Sequence, residues 1–343
     1  MHAIVTIAKS HFVGNLKERN KLTQLEMTSR KSERETTYKY QSSLPRLPLP
    51  SPEATFTKYL DTIRPYTGSG ANYLEAQERI FRLLCSPELN FRQEQLETRY
   101  NSEDSWLEDI WISGAYLSYP MPLPINSNIA ACELNFDHSD RKIERTLAFK
   151  NEMSYAADPY LRQTCSAAAH TIGALKHYVQ LKLEKISVDR QKNGKPVSMD
   201  TYRRMYACTR VPGIPSDFYR VTPNSRHIVV AAGGRFFRVN VLELDDSIIS
   251  ESRLRQVLRN ILHTAYETND EVAISNVGFL TSQHRHTWSK QRTSLYQSKS
   301  KANIVSLNTI EESLFILCLD KGADFDEPSA CVKTIFYGVE PNT

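Results

Sequence analysis

The chain has 343 residues, of which 40% are hydrophobic and 24% are charged, a balance typical of a globular protein and incompatible with disorder along its whole length. Its 43 lysines and arginines and 39 aspartates and glutamates give a formal net charge of only +4, and neither a basic stripe nor an aromatic-interleaved RNA motif concentrates it. Nucleic acid is therefore not an expected partner. The longest apolar runs fall far short of the roughly 20 residues that a membrane span requires, so we expect no transmembrane segment.

The start of the chain mixes charged and small polar side chains around a weakly apolar opening. Residues 1–43 are therefore predicted to be a flexible tail. Glu18 and Glu26 argue against a transit peptide, and the compartment, cytoplasmic or mitochondrial, is left open.

A proline-rich stretch, "SLPRLPLPSPEATFTKYL", leads into the first predicted helix. Ser51 is the expected N-cap and Pro52 the first helical residue. Two further helical patterns follow, "ANYLEAQERIFRLLCS" and "SEDSWLEDIWISGAYL", the second with acidic residues in its first turn. The N-terminal part is thus predicted to be mainly helical. The apolar face of the first helix is formed by Phe56, Leu60 and Ile63.

The clearest helical pattern begins with Asp158 as N-cap and Pro159 at its first position. Apolar residues recur at spacings of three and four, which predicts an amphipathic helix packed against a core. They are Leu161, Cys165, Ala168, Ile172, Leu175, Val179, Leu183 and Ile186.

Beyond this helix the pattern changes to strands. "HIVVAAGGRFFRVNVLEL" indicates two strands joined by Gly233 and Gly234, which suit a two-residue hairpin turn at positive φ. "SLFILCLD" indicates an apolar strand that is buried on both faces. The fold class is α/β or α+β. Between these strands, "SRLRQVLRNILHTAYET" has the apolar spacing of a helix. The apolar residues are Leu254, Val257, Leu258, Ile261, Leu262 and Ala265.

The histidines and cysteines form no recognisable catalytic or metal motif. His170, His177 and His263 lie on the polar sides of their helices and are predicted to face solvent. His284 and His286 have the H-x-H spacing that points two imidazoles to one side of an extended segment, but a third ligand is not evident, so no metal site is expected. The six cysteines lack a C-x-x-C pair, as expected for reduced, mostly buried thiols of an intracellular protein.

The stretch "LPRLPLPSPEATFTKYL" resembles the N-terminal signature of the choline/carnitine O-acyltransferase family, in which L-P-x-L-P-apolar-P precedes an amphipathic helix ending in Tyr-Leu. The resemblance covers nearly everything from residue 44 onward. Further similarity follows in family order: "W-x-x-x-A-Y-L" from Trp111 to Leu117, "PLPINSN", "YRRMYACTRVPG" at 202–213, "HIVVAAGGRFFRVNVLE" at 227–243 and "LTSQHRHTW" at 280–288.

The resemblance implies a carnitine site at Trp111 and Tyr116. In the carnitine enzymes this aromatic pair lies beside the substrate, and the tyrosine contacts the carnitine carboxylate. A phenolic hydroxyl can hydrogen-bond a carboxylate, and tryptophan offers a flat apolar wall with one N–H donor. The alternative, that both residues merely pack the helix into a core, stays open. Family members usually carry a basic residue where this chain has Pro120, so the local charge is expected to differ.

The resemblance also implies that the catalytic base lies beyond Thr343. The family's base is a histidine in E-H-[ST]-x-x-D-[GA], following N-R-W-[FY]-D, and neither motif is present here. His138 in "DHSDRKI" and His263 in "LHTAYET" are look-alikes without the required acid. By family order, the chain ends a few dozen residues before that histidine and before the residues used for the oxyanion and coenzyme A. No catalytic residue is therefore assigned.

The implied architecture is the α/β chloramphenicol-acetyltransferase-like fold of coenzyme A-dependent acyltransferases, incomplete at the C-terminus. We expect a flexible tail at 1–43, an N-terminal helical segment at 44–100 and an incomplete α/β acyltransferase domain at 101–343. Because the early helices would leave apolar faces uncovered, self-association is expected.

The implied function is that of a carnitine O-acyltransferase for short, acetyl chains, which moves an acyl group between coenzyme A and the carnitine hydroxyl. Carnitine and acyl-coenzyme A are the expected substrates, coenzyme A is a co-substrate, and no permanently bound cofactor is implied. Without the family histidine, these 343 residues alone are not expected to be active. The alternative is an inactive fragment that acts as a binding or regulatory partner. Choline in place of carnitine, and other acyl lengths, remain open.

Overall fold

The computed structural model describes residues 36–122, 160–267, 276–298 and 300–319. The chain divides into two compact units. The helical unit is Ser42–Tyr119, and the sheet unit is drawn from Met1–Gln41 and Pro120–Thr343. Within the described ranges, no helix has both the length and the apolarity needed to cross a bilayer.

The helical unit is built from three long helices followed by a short one. The Oγ atoms of Ser51 and Ser86 each accept a hydrogen bond of 3.2 Å from the backbone N–H three residues on. A proline follows each cap, at a helical position whose backbone N–H would have no partner within the helix. The predicted start of the first helix at Ser51 and Pro52 is therefore confirmed. The helices are α1 (Pro52–Thr67), α2 (Ala71–Leu84), α3 (Pro87–Ser102) and α4 (Glu108–Trp111).

The apolar side chains of the helical unit are mostly accessible. The predicted face of α1, formed by Phe56, Leu60 and Ile63, is partly buried. Among the described residues of this unit, Tyr73 is the one fully buried hydrophobic side chain. Arg64 lies over its ring and donates a hydrogen bond of 3.1 Å to its hydroxyl. The unit thus has a small core for its number of helices.

The helix predicted across "SEDSWLEDIWISGAYL" is shorter than its pattern and changes type. Glu103 ends α3, and α4 begins at Glu108, whose backbone N–H donates to the Ser105 hydroxyl at 3.2 Å. The acidic residues in its first turn are Glu108 and Asp109, and not the acidic residues at the start of the predicted helix. From Ile112 to Leu117 the chain continues as a π-helix. The prediction of one continuous helix is therefore wrong.

The sheet unit contains a three-stranded sheet and a separate two-stranded hairpin. Its strands are β1 (Cys208–Val211), β2 (Phe218–Val221), β3 (His227–Ala232), β4 (Arg235–Asn240) and β5 (Ile316–Cys318). β1 and β2 are antiparallel, as are β3 and β4, whereas β5 runs parallel to β3 and gives the order β4-β3-β5. Gly233 and Gly234 join β3 to β4 with φ of 53° and 68°, which confirms the predicted hairpin turn.

Four helices accompany these strands: α5 (Leu161–Lys182), α6 (Glu251–Tyr266), α7 (Arg285–Gln297) and α8 (Lys301–Glu311). α5 packs against α6, and α6 lies on β3 and β4. The predicted apolar face of α6 is confirmed, with Leu254, Leu258, Ile261 and Leu262 buried. Helices on a sheet of parallel and antiparallel strands make this a mixed α/β structure.

Two sequence predictions are corrected in this unit, and a third falls outside the described residues. α5 ends at Lys182 because Glu184 takes a φ of 52°, so Leu183 and Ile186 lie beyond the helix. The predicted cap at Asp158 and Pro159 lies outside the described residues. β5 is only partly buried.

The thiols are also less buried than predicted. Cys165 is buried, but Cys85 on the helical unit and Cys318 at the end of β5 are exposed. The apolar sequence around Cys85 and Cys318 does not predict their exposure. Each lies at the end of a helix or a strand, where the side chain is left accessible to solvent.

Candidate functional site

Trp111 directly precedes the π-helix of the helical unit, and Tyr116 lies within it. The backbone N–H of Ser118 donates to the carbonyl of Ser113, five residues back, at 2.9 Å, and the Ser118 hydroxyl donates to the same oxygen at 2.6 Å. An i→i+5 repeat brings residue i+5 over residue i, whereas an α-helix would rotate the two about 140° apart. The rings accordingly meet edge to face, with centroids 6.3 Å apart and planes at 70°.

The aromatic pair is accessible. Trp111 is 55% exposed and Tyr116 is 51% exposed. Neither side chain is therefore a core residue of the described structure. The pair presents an apolar ring, an indole N–H and a phenolic hydroxyl, which together suit a ligand with both apolar and anionic groups.

The proline-rich stretch is attached to the end of α3 and to the residues just before α4. The Arg46 guanidinium lies over the Tyr100 ring and donates to the Tyr100 carbonyl at 2.6 Å. The indole N–H of Trp106, just ahead of α4, donates to the Leu47 carbonyl at 3.2 Å. Both contacts hold the stretch against the region from which Trp111 extends.

A buried ionic cluster lies in the sheet unit, where the motifs "TRVPG" and "QHRHTW" meet. The Nε atoms of Arg210 and Arg285 both donate to Oδ2 of Asp217 at 2.7 Å. The other carboxylate oxygen accepts the backbone N–H of Gly213 at 3.0 Å. The side chains of Asp217 and Arg285 are only 1% and 2% exposed. Burial lowers the pKa of the Arg285 guanidinium, and the charge of Asp217 opposes that shift.

The backbone around the cluster is fixed as tightly as its side chains. A Cβ atom on Gly213 would lie 2.1 Å from the carbonyl oxygen of Ser216, so glycine alone fits this turn. The backbone N–H of Arg285 donates to the Pro120 carbonyl at 2.8 Å. The cluster therefore ties the start of α7 to the 213–217 turn and to Pro120.

Sequence reasoning missed this cluster. In "LTSQHRHTW" the two histidines attracted attention as possible ligands, while the arginine between them is the buried residue. His284 and His286 have ring centroids 5.3 Å apart, and Nε2 of His286 lies 3.2 Å from the Pro215 carbonyl oxygen. No group of three histidine, cysteine or acidic side chains that could hold a metal occurs among the described residues.

The helix histidines differ from one another in environment. His263 is exposed, as predicted, and pairs with Glu267 at 3.2 Å. His177 is not solvent-facing: its Nδ1 lies 3.1 Å from the Tyr206 hydroxyl, and burial lowers its pKa, which Asp189 opposes. His170 is partly buried, so that prediction is also wrong. His138 lies outside the described residues.

The motifs read from the sequence can now be compared with known proteins. Residues 47–338 match the family model described as Choline/Carnitine o-acyltransferase. The chain belongs to this family. The match covers both motifs of the buried cluster and the turn that carries Trp111 and Tyr116, and it confirms the resemblance.

Individual relatives in this acyltransferase family agree with the family match. Carnitine O-acetyltransferase of Columba livia is 30% identical over 286 residues, which cover 82% of this chain and 41% of the relative. Carnitine O-acetyltransferase of Homo sapiens is 28% identical over 286 residues, with the same coverage of 82% and 41%. Peroxisomal carnitine O-octanoyltransferase of Homo sapiens is 27% identical over 305 residues, covering 87% of this chain and 46% of the relative. The chain spans less than half the length of these relatives.

Proposed function

We propose that this chain is the carnitine-binding part of a carnitine O-acyltransferase that moves an acyl group between coenzyme A and the carnitine hydroxyl. The observation that carries the proposal is the family match from 47 to 338 together with an accessible aromatic pair at the family's substrate position. Carnitine and acyl-coenzyme A are the proposed substrates. The acetyl group is the proposed acyl group, because carnitine O-acetyltransferases are among the relatives.

The proposed roles of Trp111 and Tyr116 are those that the family resemblance implies, and the geometry of the pair is compatible with them. The Tyr116 hydroxyl would hydrogen-bond the carnitine carboxylate, and the Trp111 ring would form the apolar wall beside the substrate. The π-helical turn supports this assignment because it holds the two rings edge to face and leaves both about half exposed. A turn of this type is often found at functional sites.

The proposed architecture is the chloramphenicol-acetyltransferase-like fold, incomplete within this sequence. The proposed division is a tail at 1–43, a helical segment at 44–100 and an α/β domain at 101–343 that is completed by further sequence. At the end of the proposed tail, however, Thr37 is buried and its hydroxyl donates to the Ile186 carbonyl at 2.9 Å. The mixed sheet and the 41% coverage of a carnitine O-acetyltransferase support this proposal. The general base and the coenzyme A contacts would then come from sequence outside these 343 residues.

An acyl-transfer assay tests the proposal. We expect the 343-residue chain alone to release no thiol from acetyl-coenzyme A in the presence of carnitine, and a longer protein that carries the family histidine to do so. In that longer protein, Tyr116→Phe should raise the KM for carnitine about 5- to 150-fold, the effect of losing a charge-assisted hydrogen bond of about 1–3 kcal/mol. The KM for acetyl-coenzyme A should not change.

Tyr119→Phe is the matched control, because it removes the same hydroxyl three residues away from a side chain with no proposed role. If Tyr116→Phe raised the KM for carnitine and the KM for acetyl-coenzyme A equally, Tyr116 would have only a packing role. Activity of the 343-residue chain that is lost in a His138→Ala, His263→Ala variant would show that one look-alike is a true base. A longer protein without activity would favour the alternative of an inactive binding partner.

A further inference from the structure

The π-helical turn that carries the aromatic pair closes at Ser118. Both donors of this residue reach one acceptor, because its backbone N–H and its hydroxyl donate to the Ser113 carbonyl at 2.9 Å and 2.6 Å. Serine hydroxyls in an α-helix donate to carbonyls three or four residues back, whereas this bond spans five residues. The Ser118 side chain therefore reinforces the i→i+5 backbone bond that defines the turn.

The sequence after Ser118 offers no further helix to hold the turn. Tyr119 precedes Pro120, and a proline ring disfavours helical backbone at the residue before it. The π-helix accordingly ends at Leu117, with Ser118 as its cap. Because a π-helix is much rarer than an α-helix, its form at the end of a chain segment depends on the bonds that close it.

The contact between the two rings depends on the form of this turn. Trp111 and Tyr116 are five positions apart, and their ring centroids are 6.3 Å from each other. If the turn relaxed to an α-helix, the two side chains would point about 140° apart around the helix axis. A ligand could then no longer lie against both rings at once.

We propose that Ser118 is a positioning residue of the carnitine site. Its hydroxyl holds the turn in the π form, and the π form places Tyr116 against the Trp111 ring so that one ligand can contact both side chains. Ser118 itself does not touch the substrate. The identity of the ligand rests on the proposed function, whereas the effect of Ser118 on the aromatic pair does not.

Fluorine NMR of the 343-residue chain tests the structural step without any ligand. The three tryptophans are replaced by 5-fluorotryptophan, and Trp111→Phe assigns the Trp111 line. Tyr116→Leu then gives the position of that line without the neighbouring aromatic ring. In Ser118→Ala the line should move most of the way to this position. Ser118→Thr keeps a hydroxyl that can bond a helical carbonyl, so its line should match that of the wild type.

Ser102→Ala is the matched control for the NMR experiment. The Ser102 hydroxyl donates to the Thr98 carbonyl at 2.9 Å, four residues back in α3. This variant therefore deletes a hydroxyl-to-carbonyl bond of ordinary α-helical spacing in the same unit, and the Trp111 line should not move. A Trp111 line that also stays in place in Ser118→Ala would overturn the proposal, because the turn would then keep its form without the hydroxyl.

Kinetics of the longer protein that carries the family histidine test the role in carnitine binding. Ser118→Ala should raise the KM for carnitine about 3- to 10-fold, the effect of one lost neutral hydrogen bond, and leave kcat and the KM for acetyl-coenzyme A unchanged. Ser118→Thr should restore the wild-type KM. Combined with Tyr116→Phe, Ser118→Ala should raise the KM by less than the product of the two separate effects, because both changes act on one contact.

The role of Ser118 and the carnitine role of the pair can fail separately. If Ser118→Ala moved the Trp111 line but left the KM for carnitine unchanged while Tyr116→Phe raised it, Ser118 would not position the site. If neither variant changed this KM, the carnitine role of Trp111 and Tyr116 would fail, and the effect of Ser118 on the turn would stand on the NMR result.

Discussion

At the scale of single residues, Asp217 is a buried carboxylate that is constrained by several hydrogen bonds. It accepts hydrogen bonds from the buried Arg285 guanidinium, from the partly buried Arg210 guanidinium and from the Gly213 backbone. A carboxylate is required there, because an amide of the same shape would take away the negative charge that pairs with the buried Arg285 guanidinium. The charge of Asp217, more than its hydrogen bonds, therefore decides whether the turn and α7 stay together.

Asp217→Asn should lower the free energy of unfolding by about 3–5 kcal/mol, the usual cost of removing one partner of a buried ion pair. Urea denaturation followed by circular dichroism measures it. The matched control is Asp246→Asn, which breaks a partly exposed pair with Lys182 at 2.7 Å and should cost less than about 1 kcal/mol. Similar losses in the two variants would mean that the buried cluster is not held by charge.

Single residues were predicted from the sequence only where a motif identified them. Trp111 and Tyr116 were found through their family spacing, yet their edge-to-face contact depends on a π-turn that no spacing rule reveals. His177 was placed in solvent because helical periodicity describes one helix and not the Tyr206 ring packed against it. Arg285 was not singled out, because its partner Asp217 is 68 positions away in the sequence.

At the scale of elements, the β3–β4 hairpin is the segment in which sequence and structure agree best. Two adjacent glycines between alternating β-formers leave little choice of turn, and the observed positive φ values follow. The turn is also packed from outside, because the Gly233 N–H donates to the Tyr266 hydroxyl at 3.0 Å and that hydroxyl donates to the Leu319 carbonyl at 2.9 Å. The hairpin, α6 and the end of β5 therefore share one anchoring point.

Gly233→Ala should destabilise the sheet unit more than its backbone angle alone predicts. A Cβ atom there would lie 2.7 Å from the Ala265 carbonyl oxygen, in addition to the strain at a φ of 53°. Gly194→Ala is the control, because Gly194 has a φ of 82° with nothing within 4 Å of the added atom. We expect a loss of about 1–2 kcal/mol for Gly194→Ala and about 1–3 kcal/mol more for Gly233→Ala. Equal losses of stability in urea denaturation would mean that α6 moves away from the added methyl group without lowering the free energy of unfolding.

Element ends were predicted less well than element types. α5 ends at Lys182 although its apolar spacing continues to Ile186, since the left-handed Glu184 turns the chain away. The helix predicted over 102–117 begins late, because Ser105 and not the earlier acidic residues satisfies the first N–H groups. In both cases a single backbone conformation or cap overrides a pattern that extends over many residues.

At the scale of the whole molecule, the two units differ in how they bury apolar side chains. The sheet unit has a continuous core that joins α5, α6 and the sheet, whereas Tyr73 alone is buried among the hydrophobic residues of Ser42–Tyr119. Exposed apolar side chains are spread along α1, α2 and α3 instead. Tyr66 is 89% exposed, Phe81 68% and Leu74 61%. Helices of this kind are patterned to be covered, and the family relatives are more than twice as long as the matched part.

The 343-residue chain should therefore self-associate or bind a hydrophobic dye, because uncovered apolar area is worth about 25 cal/mol per Å2 when it is buried. Size-exclusion chromatography with light scattering and dye fluorescence measure both responses. Leu74→Gln with Phe81→Gln should reduce them without lowering stability, while Leu244→Gln, which changes an 85% exposed leucine of the sheet unit, should leave them unchanged. A compact, dye-negative monomer with one cooperative unfolding transition would mean that the helices need no cover, and the proposal that further sequence completes this fold would fail.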